Sequence, residues 1–165
     1  RSDHRAFCVV IMTVNSVSSL DKIADFLGME LENRIRLKIL SNVPPPNASS
    51  TIEKKGSSHT LIDSGIMLGS VSHQVTGSEN LITVTSGILD DGEIAMYAAS
   101  NEYGIQRTII AKNKDNESEM HQGMTLFIIP ERSFIRSTFD ECFDSELMEK
   151  FSDNLQDLAE IKLRK

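Results

Sequence analysis

The residues able to do acid–base, nucleophilic or metal chemistry are few and scattered. The four histidines, His4, His59, His73 and His121, fall at a terminus or in polar, turn-like segments, and none stands at ligand spacing from a cysteine or another histidine. Ser64-Gly65 and Ser86-Gly87 lack the flanking glycine that sharpens a nucleophile elbow. The glycines never group as GxxxxGK or GxGxxG, so no phosphate cradle is predicted. Asp90, Asp91 and Glu93 surround Gly92 and could draw a cation, but the twelve-residue calcium pattern is missing and turn chemistry accounts for them. The sequence thus nominates no catalytic, cofactor-binding or metal-binding residue. An enzyme built on this chain would need a dispersed site, for which His59, Asp63, His73 and Glu93 are the candidates.

Charge is more informative. The chain of 165 residues carries a formal −7, and the segment from Phe139 to Leu163 holds eight acids against two bases, which leaves the remainder close to neutral. This sign argues against general nucleic-acid binding, which needs Lys and Arg to displace counterions. A basic stripe, Arg34, Arg36 and Lys38, alternates with Ile35, Leu37 and Ile39. It is the strongest candidate for docking an acidic partner surface, beside Pro44, Pro45 and Pro46. Phosphoinositide binding through Arg34, Arg36, Lys38, Lys54 and Lys55 is a weaker option, because anionic membranes repel an acidic chain.

The elements that must position these residues follow from periodicity. Ala6 to Val14 is an apolar run rich in Val, read as a strand buried on both faces. Ser18 and Asp21 make a capping box before a helix through Leu27, with Gly28 as its cap. Arg34 to Leu40 alternates and reads as a half-buried strand, giving a strand–helix–strand start compatible with a right-handed crossover. Residues 41 to 58 are Pro-, Ser- and Lys-rich and read as a long exposed loop. An antiparallel meander is expected next, with strands at 60–71, 81–86, 93–100 and 105–112. Gly77 to Asn80, the Asp90-Asp91-Gly92 hairpin signal and Asn101 to Gly104 mark its turns. A second exposed loop is expected at 113–123, then a central strand from Met124 to Ile129, stopped by Pro130. Thr138 and Glu141 cap a long amphipathic helix to about Lys162, its apolar stripe formed by Phe143, Leu147, Met148, Phe151, Leu155, Leu158 and Ile161.

These elements predict a single α+β domain over 1–165. Strands closed by one amphipathic C-terminal helix resemble pleckstrin-homology or phosphotyrosine-binding domains, and the helix between the first two strands resembles the second more. The resemblance implies a helix packed on a sheet and carries no diagnostic motif. Cys8 and Cys142 stand too far apart for a disulfide framework, which points to reduced thiols and an intracellular location, and no run reaches the ~18 apolar residues of a membrane span. No signal-peptide pattern opens the chain. The triplets Asn47-Ala48-Ser49 and Asn116-Glu117-Ser118 occur no more often than chance. The reading that results is a non-catalytic protein-interaction or complex-assembly unit.

Overall fold

The computed structural model describes residues 7–13, 21–78, 81–90, 92–111, 123–143, 149–150 and 152–153. The architecture is α+β, with two small antiparallel sheets and helices between them. Strand β1 (Phe7–Thr13) pairs antiparallel with β3 (Leu81–Ile88), which also pairs with β2 (Val71–Ser78). The order β1-β3-β2 makes β3 central. Every second residue of β3, from Ile82 through Val84 and Ser86 to Ile88, is buried, as a sheet with one covered face requires. Ser78 stands opposite Leu81; of the turn expected at 77–80, Gly77 and Ser78 belong to β2, and residues 79–80 lie outside the described residues. The parallel crossover expected after β1 does not form, because β1 takes as its partner β3, far along the chain, and runs antiparallel to it.

The covering element is α1 (Asp21–Leu40), a single helix of 20 residues. The strand expected at Arg34–Leu40 is therefore corrected to helix. Ala24, Leu27, Gly28, Leu31, Ile35 and Ile39 recur at steps of three and four and are all buried, which continues one helical face through the supposed break. Leu37, which a strand would have buried beside Ile35 and Ile39, is exposed. Gly28 is not a cap either. It lies mid-helix, where a Cβ would collide with the His73 ring of β2 and stand 2.9 Å from its Cγ. The glycine lets helix and sheet close at that point. The expected cap at Ser18 lies outside the described residues.

Segment 41–58 is also more ordered than its composition suggests. Val43 is buried, and α2 (Ser49–Lys55) ends at Gly56, whose φ of 70° is the left-handed cap that glycine supplies without strain. The expected strand at 60–71 is replaced by buried Leu61 and a short α3 (Ile66–Gly69). The strand expected at 93–100 is helix α4 (Glu93–Tyr103). Ala95, Ala98, Ala99 and Glu102 are buried at helical spacing, and alanine is the best helix former, so the Ile94-Met96-Ala98 alternation was coincidental. The Asp90-Asp91-Gly92 signal leads into this helix rather than into a hairpin, with Gly92 N–H donating to Asp90 Oδ1 at 3.2 Å. The meander is thus broken twice by helix.

Strands β4 (Ile105–Ala111) and β5 (Gly123–Ile129) form the second sheet by themselves. β5 was expected to be central. Among the described residues it has one strand partner, and Ile128 is exposed. The loop expected at 113–123 lies almost wholly outside the described residues. Helix α5 (Arg136–Phe143) begins two residues before the expected Thr138 cap, whose hydroxyl instead donates to Phe134 O at 2.6 Å inside the helix. Residues 149–150 and 152–153 are also helical, and the remaining residues of the long C-terminal helix expected from the sequence lie outside the described residues.

The main core joins α1, α3, α4 and the strand ends through Ile35, Ile39, Val43, Leu61, Val71, Ile88, Ala98, Phe134 and Ile135. Each fully buried Leu, Ile or Phe of this set contributes about 1.5–3 kcal/mol. Among the described residues, no helix is long and apolar enough to cross a membrane, and no three His, Cys, Asp or Glu cluster to hold a metal ion.

Candidate functional site

Two consecutive residues at the end of α4 organise the chain's buried charges. Glu102 has 1% of its side chain exposed. Its Oε2 accepts the Phe134 and Ile135 N–H groups at 2.8 and 2.9 Å, and its Oε1 accepts the Arg136 N–H at 2.9 Å. The Ser133 hydroxyl and Arg136 Nε add donors at 3.0 and 3.1 Å. Glu102, from another helix, thus holds the backbone that leads into α5, while Ser133 Oγ accepts the Ser137 N–H at 3.2 Å. Arg136 completes the charge, reaching Glu131 Oε1 at 2.5 Å and lying 4.8 Å over the Tyr103 ring. Its pKa is raised, first by Glu131 and also by Glu102, against a smaller effect of burial.

Asn101, the residue before, holds Arg132. The Arg132 N–H donates to Asn101 O at 2.6 Å, and Nη1 reaches Asn101 Oδ1 at 3.3 Å. Nε donates to Pro45 O at 2.8 Å, and Nη2 to Asn47 Oδ1 and Pro46 O at 3.2 and 3.4 Å. Arg132 is 5% exposed as a residue, yet all acceptors of its guanidinium among the described residues are neutral amides. Burial lowers its pKa, and Tyr97 opposes that.

Around Arg132 opens a groove of about 660 Å³. Thr51, Lys54 and Lys55 line one side from one face of α2. Tyr97 and Asn101 come from α4, and Ile128, Ile129 and Pro130 from the end of β5. The segment between α1 and α2 is fixed by Asn42, in a left-handed conformation at φ 61°, whose Oδ1 accepts the Thr60 N–H at 2.8 Å. Lys55 Nζ and Asn47 Nδ2 both donate to His59 O, at 2.6 and 3.0 Å, which ties α2 to the loop after it. Burial pulls the Lys55 ammonium below its usual range, Asp63 works against this and Arg132 with it. Three cations, Lys54, Lys55 and Arg132, face one lining carboxylate, Asp63. On a chain of net −7 this is a local reversal of sign.

The basic stripe from the sequence lies elsewhere and is internally engaged. Arg36 pairs with Glu32 at 2.5 Å and donates to Val71 O at 2.8 Å. Lys38 pairs with Glu141 of α5 at 2.5 Å. Cys142 is a buried thiol whose pKa burial pushes up, a shift that the nearby Arg34 opposes. Pro44, Pro45 and Pro46 are exposed. Pro46 lines the groove, and two of the three carbonyls bind Arg132. The dispersed candidates do not meet. Asp63 lines the groove and His59 stands behind Lys55, but His73 sits between Glu32 and Asp25 of α1, and Glu93 begins α4. Arg132 and Asn101 were not foreseen, since an isolated Arg and an isolated Asn carry no motif.

Comparison with protein-family models, with curated proteins and with solved structures finds no match to this chain, so the pleckstrin-like resemblance gains no support.

Proposed function

We propose that this chain is a non-catalytic protein-interaction module whose groove around Arg132 captures an acidic, partly apolar segment of a partner protein. One observation carries the reading: a nearly buried arginine whose guanidinium, among the described residues, has only neutral acceptors, in a groove with two lysines and one carboxylate. A buried cation without a counter-charge gains most from an incoming carboxylate, because the desolvation cost has already been met in the folded chain. Tyr97, Ile128 and Ile129 supply apolar wall for neighbouring side chains of the segment. An intracellular setting belongs to the same proposal, since two distant cysteines make no disulfide framework.

The docking face is thereby moved from Arg34, Arg36 and Lys38 to Lys54, Lys55 and Arg132, with Pro46 kept. Reversing the α1 charges would break the pairs to Glu32 and Glu141 and confuse folding with binding. The test is fluorescence anisotropy of labelled Asp/Glu-rich peptides carrying Leu or Phe, against wild type and Lys54→Glu/Lys55→Glu. Binding to wild type that weakens with salt and drops at least ~10-fold in the variant is expected. Equal binding by both proteins, or no binding of any acidic peptide, would sink the reading.

A further inference from the structure

Helix α1 is apolar on two opposite faces. One face is buried on the sheet. On the other, Phe26, Met29, Leu37 and Leu40 are 39, 55, 56 and 50% exposed, with exposed Asn33 among them. The steps along this stripe, three, four, four and three residues, read the same in both directions and centre on Asn33. Charge along the helix also divides near the same point. Residues 21–32 carry Asp21, Asp25, Glu30 and Glu32 against Lys22, whereas 33–40 carry Arg34, Arg36 and Lys38 and no acid.

We propose that this face binds a second copy of the chain, the two α1 helices packing antiparallel across a twofold axis at Asn33. A twofold contact must be self-complementary, so that if residue i meets j, then j meets i. A palindromic stripe meets that condition: Phe26 falls opposite Leu40 of the second copy, Met29 opposite its Leu37, and Asn33 opposite Asn33. The antiparallel arrangement also sets the acidic half of the helix against the basic half of the other copy, with Arg36 still paired to Glu32 and Lys38 to Glu141 within each chain. Parallel packing would align like charges. An asparagine in the middle of an apolar seam fixes register, because any slip leaves its amide against hydrocarbon. Met29 has a further place to go: Leu37 borders a groove of about 330 Å³ between α1 and α5, and an unbranched thioether adapts to such gaps. This contact is separate from the groove around Arg132 and does not rest on its occupant.

The experiment is sedimentation of the whole chain from about 5 to 500 µM, since so small a stripe buries less than a standard interface and implies a roughly micromolar or weaker dimer. A reversible monomer–dimer equilibrium is expected, with Leu37→Glu raising the dissociation constant at least ~10-fold. Met29→Gln should weaken it in the same direction, and circular dichroism should show both variants folded. Under mild oxidation Asn33→Cys should give an intermolecular disulfide that Phe26→Cys does not. Lys54→Glu/Lys55→Glu should dimerise as wild type does. A monomer throughout, a dimer indifferent to Leu37→Glu, or a dimer lost in the groove variant overturns the proposal. So does a monomer whose Met29→Cys thiol is shielded from maleimide, which would assign the stripe to the chain's own residues beyond 143.

Discussion

Asn101 and Glu102 are neighbours in sequence and hold two buried charges that the fold treats in opposite ways. At Glu102 the carboxylate receives three backbone N–H groups, a hydroxyl and a guanidinium, so charge and hydrogen bonds close on themselves. At Asn101 the guanidinium of Arg132 donates, among the described residues, only to amide oxygens, and its hydrogen bonds close there while its charge does not. Hydrogen-bond satisfaction and charge neutrality are separate requirements. A site meeting both is mortar between helices. A site meeting only the first can be stable and still attract an ion of opposite sign. That difference is why the first is read as structure and the second as function.

The strongest challenge to this contrast is Glu102→Ala. It would orphan the Phe134, Ile135 and Arg136 N–H groups that lead into α5 and leave the Arg136 guanidinium half-paired, at a cost of about 3–5 kcal/mol. Urea denaturation measures it. A loss under about 1 kcal/mol would mean that water replaces the carboxylate and that the site is not closed.

Arg132→Lys tests the other side. An ammonium keeps the charge but cannot fan donors to Asn101, Pro45 and Asn47 together, so stability should fall by about 1–2 kcal/mol. Binding of acidic peptides should fall less than in Lys54→Glu/Lys55→Glu, because the sign of the groove survives. Peptide binding that vanishes in Arg132→Lys while the fold persists would show that fork geometry, not charge, selects the ligand.

Neither site could be read from the sequence, and the reason is separation along the chain. Arg132 finds its acceptors 31 and 85 to 87 residues away, and Glu102 finds its donors 31 to 34 residues away. Local pattern carries no information about such meetings. What was legible was local. The β-branched runs of β1, β3 and β4 announced themselves, as did the stop at Pro130. The errors share one cause, a short alternation overriding a longer period. In Arg34–Leu40 and in Glu93–Ser100 three apolar residues happened to alternate, while the wider spacing of Ala24, Leu27, Leu31, Ile35 and Ile39, and of Ala95, Ala98, Ala99 and Glu102, was helical. The second apolar face of α1 deepened the confusion, because Leu37 belongs to it and not to the core.

His73 is a third case that passes between the two, and it gives the smallest expected effect. Its Nδ1 lies 2.6 Å from Glu32 Oε2 and its Nε2 3.3 Å from Asp25 Oδ1. A neutral ring has one N–H, so one carboxylate then faces a bare lone pair. A protonated ring donates to both and closes the site. Partial burial opposes the charge, but the hydrogen bonds and charges of Glu32 and Asp25 outweigh it and raise the pKa above 6.5. Because the folded state holds the proton more tightly, the contribution to stability is complete below the unfolded pKa near 6.5 and disappears as pH rises through the higher folded value. Asp25 is 62% exposed, so solvent screens its share and the total should be about 0.5–1 kcal/mol. Urea unfolding of wild type and His73→Gln on both sides of this window isolates the effect from other titrations. The difference between the two proteins should shrink as pH rises. A difference that stays constant would mean that His73 acts by packing against Gly28 alone, and that its two carboxylates never receive a second proton donor.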